Sequence, residues 1–190
     1  MDTQDTQRAL NERERFMDHV LKKKPTIVQI EKGKHKGKSM HIVAVQKGPY
    51  AVEYWGIVGK RKIAVMLTNP PIGGISHVTN SVVAHSFWRC GVAQQVYSEI
   101  QRDLQTVGAA LEPHWNAMTP DAARFWKTIS TNMPAIQQRL DTILQEMELS
   151  GVRAQHDAMK DEDLSQFWNG ESMSKKKLEK VGIDTTSHTR

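Results

Sequence analysis

The feature that most constrains this chain is a change of period at Gly91. Before it, short alternating or β-branched runs are divided by turn residues. After it, apolar residues recur every three or four positions. The earlier runs are Thr26–Ile30, Met40–Val45, Tyr50–Trp55, Lys62–Leu67 and Ile75–Val83, and each reads as a strand. Lys47-Gly48-Pro49, Gly59-Lys60-Arg61 and Asn69-Pro70-Pro71-Ile72-Gly73-Gly74 separate them as turns and a loop. After Gly91, Val92, Val96, Ile100 and Leu104 share one helical face, and the helix is expected to run to about Val107 and stop at Gly108. Ala109–Pro113 is a short strand. Thr119-Pro120 then opens a helix, with threonine as cap, proline in the first position and Asp121 at the positive end of the dipole. Ile136, Leu140, Ile143, Leu144 and Met147 predict a last helix over Pro134–Leu149. At the other end, Phe16, Met17, Val20 and Leu21, after Leu10, predict an amphipathic helix over Thr6–Lys23 that ends at Lys24-Pro25.

The fold class expected from this order is α/β or α+β: a mixed, mostly antiparallel twisted sheet flanked by helices, with a helical extension toward the C-terminus. A chain of 190 residues with 38% hydrophobic residues has matter for one core. The expected organisation is an N-terminal helix (1–25), a central domain (26–130), a helical extension (131–170) and a flexible tail (171–190). Asp163–Trp168 is a candidate docking segment with aromatic anchors, and Ser172 to Arg190, rich in Lys, Ser and Thr, reads as mobile.

Composition narrows the function. No apolar run approaches the 18 or so residues that a membrane-spanning helix needs. Met1 to Arg15 has no apolar centre and does not read as a secretory signal. A single cysteine, Cys90, allows neither an internal disulfide nor a Cys-rich zinc site, and no metal site is expected. The expected compartment is the cytoplasm. The net charge is +5, unevenly placed: between Lys22 and Lys62 stand 11 Lys or Arg and two acids, Glu31 and Glu53. Such a segment suits an anionic partner such as a nucleotide, a nucleic acid or an acidic protein, or else forms a solvated basic rim.

The segment that carries chemistry is Val82-Val83-Ala84-His85-Ser86-Phe87-Trp88-Arg89-Cys90-Gly91-Val92-Ala93. A strand ends, a short turn follows and a long helix begins. The first amides of a helix have no partner inside it, and together with the dipole they make an anion site suited to a pyrophosphate. Cys90 lies within that turn, which argues against a role as nucleophile despite the acidifying position.

This segment resembles the central motif of the GNAT family of N-acetyltransferases, which runs from a valine through several residues to Arg/Gln-x-x-Gly-x-Gly/Ala. Gly91 and Ala93 match its last two fixed positions, Val83 the valine, and Trp88 stands where Arg or Gln is usual. Met118-Thr119-Pro120-Asp121-Ala122-Ala123-Arg124-Phe125-Trp126 is similar to a form found in bacteriophage-encoded members. The resemblance covers about Ile42 to Ile129. It implies the GNAT fold and transfer of an acetyl group from acetyl-CoA to an amine. The pyrophosphate would lie on Arg89, Cys90, Gly91, Val92 and Ala93, and the pantetheine arm along Val82, Val83 and Ala84, with an oxyanion donor among the amides near Val82. Candidate bases are His77, His85 and Glu53, each with a plain structural role as the alternative. The usual tyrosine acid has no match: Trp126 stands near its place, and Tyr97 comes too early. His114, Trp115 and Asn116 are candidates to line the acceptor pocket, while Phe125 and Trp126 read as core.

The acceptor implied is a protein amine, a small amine, or a modified nucleotide or DNA base. In the last case Lys32, Lys34, Lys36, Lys38, Lys60, Arg61 and Lys62 would hold phosphates, and a phage protein would act in the host cytoplasm. The alternatives are a catalytically degenerate scaffold, such as a phage inhibitor of a host enzyme, a DNA-modification protein, and a basic nucleic-acid-binding module without catalysis. The oligomeric expectation is a monomer or homodimer.

Overall fold

In the computed structural model, residues 3–152 and 167–185 are described. They divide into two compact units: the chain up to Glu112 together with Phe167 onward, and a second unit beginning at Pro113. The boundary therefore falls directly after the last parallel strand, earlier than the 130 expected from sequence.

The first unit contains α1 (Thr3–Lys22), β1 (Thr26–Gln29), β2 (Ser39–Gln46), β3 (Val52–Val58), β4 (Arg61–Thr68), β5 (Ile75–Val83), α2 (Val92–Gln105) and β6 (Ala110–Glu112). The sheet order is β1-β2-β3-β4-β5-β6. Every pair is antiparallel except β5 with β6, which is parallel because α2 carries the chain back across the sheet. This is the mixed, mostly antiparallel α+β architecture that the sequence predicts.

One face of the sheet packs on α1 and α2. Phe16 and Val20 of α1, Met40 and Ile42 of β2, Tyr54 of β3, Met66 of β4, and Val96, Ile100 and Leu104 of α2 are all buried. Gly56 lets α2 approach closely, since a Cβ there would lie 3.0 Å from Met40 Sδ, 3.1 Å from Ala64 Cβ and 3.7 Å from Val96 Cγ2. Leu10 and Leu21 remain exposed, so the apolar stripe of α1 is narrower than the sequence suggests.

Charge is buried between α1 and α2. Glu99 and Asp103 lie one helical turn apart on α2, only 2% and 1% exposed. The Lys23 ammonium contacts Glu99 and lies 2.6 Å from Asp103 Oδ1. The Thr26 hydroxyl donates to Glu99, His19 Nε2 lies 3.3 Å from Asp103 Oδ1, and the Tyr54 hydroxyl donates to Asp103 Oδ2 at 3.0 Å. Burial pushes the Glu99 carboxyl up. Hydrogen bonds from Lys23 and Thr26, with the charges of Lys23 and Arg102, more than reverse this and hold it below its ordinary 4.5. Burial, reinforced by the Asp103 charge, keeps the Tyr54 phenol protonated well above the ordinary range.

The other face is covered in part by the chain's end. Glu171–Ser172 forms β7, pairing with Lys62 and Arg61 of β4 beyond the point where β5 has turned away. Ser174 caps α5 (Lys175–Lys180) by accepting from the Lys177 amide. Met173, Leu178 and Ile183 then pack on Val43 and Ile57. Residues 171–185 are thus a docked strand and helix, which corrects the expectation of a flexible tail. Three apolar residues spaced through a polar segment are enough to anchor it, and composition averages hide them. Of the expected docking segment, 163–166 lie outside the described residues, while Phe167 sits 6.0 Å from the Trp88 ring.

In the second unit, α3 (Pro120–Ile129) and α4 (Pro134–Leu149) pack on one another. Thr119 Oγ1 accepts from the Ala122 amide at 3.2 Å, the cap that the sequence predicts. Gln137 ties the pair, donating to the Lys127 carbonyl and the Ser130 hydroxyl. Among the described residues, no helix is long and apolar enough to cross a membrane.

Two outcomes follow for stability. Lys23→Met removes the cation shared by two buried carboxylates and is expected to cost about 3 kcal/mol in urea unfolding at pH 7, whereas Glu99→Gln, which leaves Lys23 paired with Asp103, is expected to cost about 1–2 kcal/mol. Because the Glu99 carboxyl is held low, its contribution is present above the unfolded pKa and is lost as pH falls through the folded value. The gap between the parent protein and Glu99→Gln therefore narrows below pH 4.5. Leu178→Ala, in a segment that composition marks as tail, is expected to cost about 2–3 kcal/mol in the same assay.

Candidate functional site

β5 and β6 pair only at Ile75↔Ala110, Ser76↔Leu111 and His77↔Glu112. From Val78 to Val83, β5 runs on without a partner on that side among the described residues. The separation coincides with a bulge: Leu67 pairs with Asn80 and Thr68 with Val78, leaving Thr79 unmatched in the β4–β5 ladder. The result is a strand with an open edge leading to a corner.

The direction of each main-chain group on that edge follows from the ladder. The Ala84 amide donates to the Ile63 carbonyl of β4 at 2.8 Å. Hydrogen-bonding positions alternate along an antiparallel pair, so Val82 also faces β4, while Ser81 and Val83 face the open edge. The Val82 and Ala84 amides thus point to β4, and the amides near the expected oxyanion position that face the open edge are those of Ser81 and Val83. The Val83 carbonyl is already taken by the Trp88 indole Nε1–H at 2.8 Å.

At the corner, a short 3-10 turn covers His85–Phe87. Some of its amides are occupied: His85 donates to Trp168, Phe87 to Ala84, Trp88 to His85 and Cys90 to Phe87. Cys90 is thereby removed from the expected cradle. It is also buried, with Sγ only 2.7 Å from where a Cβ on Gly33 would stand. The amides of Gly91, Val92 and Ala93 donate to no carbonyl among the described residues, and no side chain caps α2. Arg89 (φ 61°) and Gly91 (φ 78°) are both left-handed, a turn geometry that gathers successive N–H groups into a concavity for anions.

The structure adds a part that the sequence does not reveal. The β1–β2 loop, Lys32-Gly33-Lys34-His35-Lys36-Gly37-Lys38, folds against this same corner. The His35 ring stacks on Phe87 at 3.9 Å, and its Nε2–H donates to the Ser86 carbonyl at 3.0 Å. The Lys32 Cδ would touch a Cβ on Gly91 at 4.0 Å. Burial, then the charge of Lys38, lowers the His35 pKa below 6.5 against the raising effect of the Ser86 bond, so the ring is neutral at physiological pH. A close approach of Gly33 to Cys90 is what brings this basic loop to free amides 58 residues away. Spacing alone could not have found it, but two glycines flanking alternating lysines are the trace it leaves in the sequence.

The candidate bases separate. His77 sits at the point of splay, with Nδ1–H donating to the Glu112 carbonyl at 3.1 Å. That bond makes Nε2 the basic nitrogen of the neutral ring. His85 packs edge-on to Trp88 with Nδ1 buried and unpartnered among the described residues. Glu53 lies on the sheet face opposite α2, where it accepts from the Trp55 indole at 2.9 Å and pairs with Lys47. The strand alternation turns it away from the face on which α2 packs. Tyr97 of α2 is buried and hydrogen-bonded to Ser81, and burial lifts its phenol to about 12. His114, Trp115 and Asn116 belong to the second unit, where the Arg139 guanidinium lies 4.1 Å over the Trp115 ring.

Comparison with family models, curated proteins and solved structures finds no match to this chain.

The corner therefore combines unspent amides, a helix N-terminus and a nearby lysine side chain, an arrangement chemically suited to a phosphate or diphosphate. Lys32→Glu is expected to weaken inorganic pyrophosphate binding about tenfold in calorimetry, whereas Lys176→Glu on α5 changes it less than twofold.

Proposed function

We propose that this protein is an acyltransferase that moves an acetyl group from acetyl-CoA to a primary amine, as a GNAT-type enzyme of the kind found in bacteriophages. The observation that carries the reading is the continuity of an open strand edge, Val78–Val83, with the free amides of Gly91, Val92 and Ala93. A flat anion site would serve any phosphate. An edge of unpaired main-chain groups running into it suits a ligand with an amide-bearing arm attached to a diphosphate.

In this reading the pyrophosphate rests on Arg89, Gly91, Val92 and Ala93 beside Lys32, and the arm pairs with Ser81 and Val83. The acceptor nitrogen attacks the thioester carbonyl, and His77 Nε2 takes its proton. An open-edge amide stabilises the oxyanion. The tetrahedral intermediate collapses, the C–S bond breaks, and the thiolate takes a proton from solvent. The acceptor is an amine on a protein, a small molecule, or a modified nucleotide or DNA base.

A second reading, a degenerate scaffold that binds a partner without catalysis, is favoured by one observation. The Trp88 indole occupies the Val83 carbonyl, an arm-facing group, at the position where the family has Arg or Gln.

Coenzyme A separates the two. At a hundredfold excess over its dissociation constant it adds about 2.7 kcal/mol, a rise of about 5–10 °C in thermal midpoint for a chain of this size. No rise at millimolar coenzyme A removes the transferase reading. If binding is seen, His77→Ala is expected to lower kcat for acetyl transfer at least a hundredfold while the coenzyme A thermal shift stays intact.

A further inference from the structure

The sheet face opposite α2 holds a trough of about 1570 Å³. Its floor is β2, chiefly His41, Val43 and Val45, flanked by Ile27 of β1 and Trp55 of β3. Ile27 is 61% exposed there. One wall is α5 with the residues that follow it. Lys38 and Lys60 stand at the end near the β1–β2 loop. Lys24 and Lys180 stand at the other end, where Gly182 meets Pro25. The eight residues of β2 set its length at about 26 Å.

The charge of this trough is one-sided. Among the described residues lining it, Asp184 is the only carboxylate, against Lys24, Lys38, Lys60, Lys177 and Lys180. Lys177 is engaged by Glu171, and Lys23, which also borders the trough, sends its ammonium to Glu99 and Asp103. That leaves lysines at both ends of an apolar floor. Three of these lysines, Lys24, Lys38 and Lys60, come from the basic segment, and the docking of the C-terminal segment adds Lys180.

We propose that this trough binds single-stranded nucleic acid, with phosphates spread over Lys24, Lys38, Lys60 and Lys180 and bases laid on the floor of β2. Three features select this occupant. The volume exceeds that of ordinary small-molecule pockets, about 300–1000 Å³, and its shape follows a strand, so a chain fits it better than a compact ligand. Ile27, exposed on β1, and the His41 imidazole of β2 offer faces for bases without regard to sequence. The rim presents lysine ammonium groups, which serve phosphates as point charges without fixing one geometry. The proposal stands independently of coenzyme A binding at the corner.

The test is fluorescence anisotropy of a labelled oligothymidylate 15-mer, without coenzyme A, over 50–200 mM salt. Four phosphates neutralised on a single strand give a slope of about −3 in log affinity against log salt. Lys38→Glu/Lys180→Glu is expected to lower affinity at least tenfold at 50 mM salt and to flatten the slope. Lys22→Glu/Lys176→Glu, the same charge change outside the trough, is expected to change it less than threefold. Should the glutamate pair shift the thermal midpoint, Lys38→Gln/Lys180→Gln is read in its place, with at least a threefold loss expected. Equal losses in trough and control pairs would reduce the effect to net charge and overturn the proposal. So would a loss confined to Lys32→Glu/Lys34→Glu, which would put the strand at the corner. Absence of binding, or displacement of the oligonucleotide by polyglutamate of equal charge, overturns it too.

Discussion

The ion cluster of Lys23, Glu99 and Asp103 fixes where α2 lies, and with it everything the corner does. Two carboxylates one turn apart on a buried helix face are costly unless cations and hydroxyls meet them. Lys23 and Thr26, on either side of the α1–β1 junction, reach Glu99, and Tyr54 from β3 reaches Asp103. The cluster therefore ties α1, the first strand, the sheet centre and α2 together at a polar point inside an apolar layer. Apolar packing alone would let α2 slide along the sheet. Directional pairing holds its register, and the N-terminus of α2 is set at the open edge of β5.

Two independent distortions then make the corner. The bulge at Thr79 turns β5 away from β6 after only three pairs, and the left-handed residues Arg89 and Gly91 aim the first amides of α2 outward. Neither would suffice alone. A splayed strand without the turn presents an edge and no anion site. A turn without the splay presents amides with no path leading to them. The basic loop between β1 and β2 completes the environment by bringing the Lys32 side chain beside Gly91. The same segment of sequence thus serves two places: Lys32 faces the corner, while Lys38 opens onto the trough on the other side of the sheet.

Local physics left clear marks in the chain. The limits of β5 and α4, the threonine cap of α3, the glycine at the end of α2 and the turn at Gly59-Lys60 all follow from nearest-neighbour stereochemistry and could be read directly. So could the mixed sheet, because a run of short strands stands between two helical stretches and short connections enforce antiparallel neighbours. The last segment was misread for an equally physical reason. Met173, Leu178 and Ile183 are too sparse to show a period, yet each packs into the cluster that Val43 and Ile57 present on the sheet face opposite α2. The candidate site was legible in its backbone half, from Val82 to Ala93. Which amides are spent, on Ala84, His85 and Phe87, depends on turn geometry that composition does not encode.

What the sequence determined by itself was the inventory and its order: one helix, a run of strands, a glycine-bearing turn into an amphipathic helix, and a basic stretch near the start. These are set by interactions within a few residues. The tertiary structure alone decided which groups meet. It brought Gly33 against Cys90, turned Ser81 and Val83 outward instead of Val82, and set Lys180 across a trough from Lys38. Those juxtapositions depend on strand register and helix placement, long-range quantities fixed by the whole core at once, and no local stretch of residues contains them.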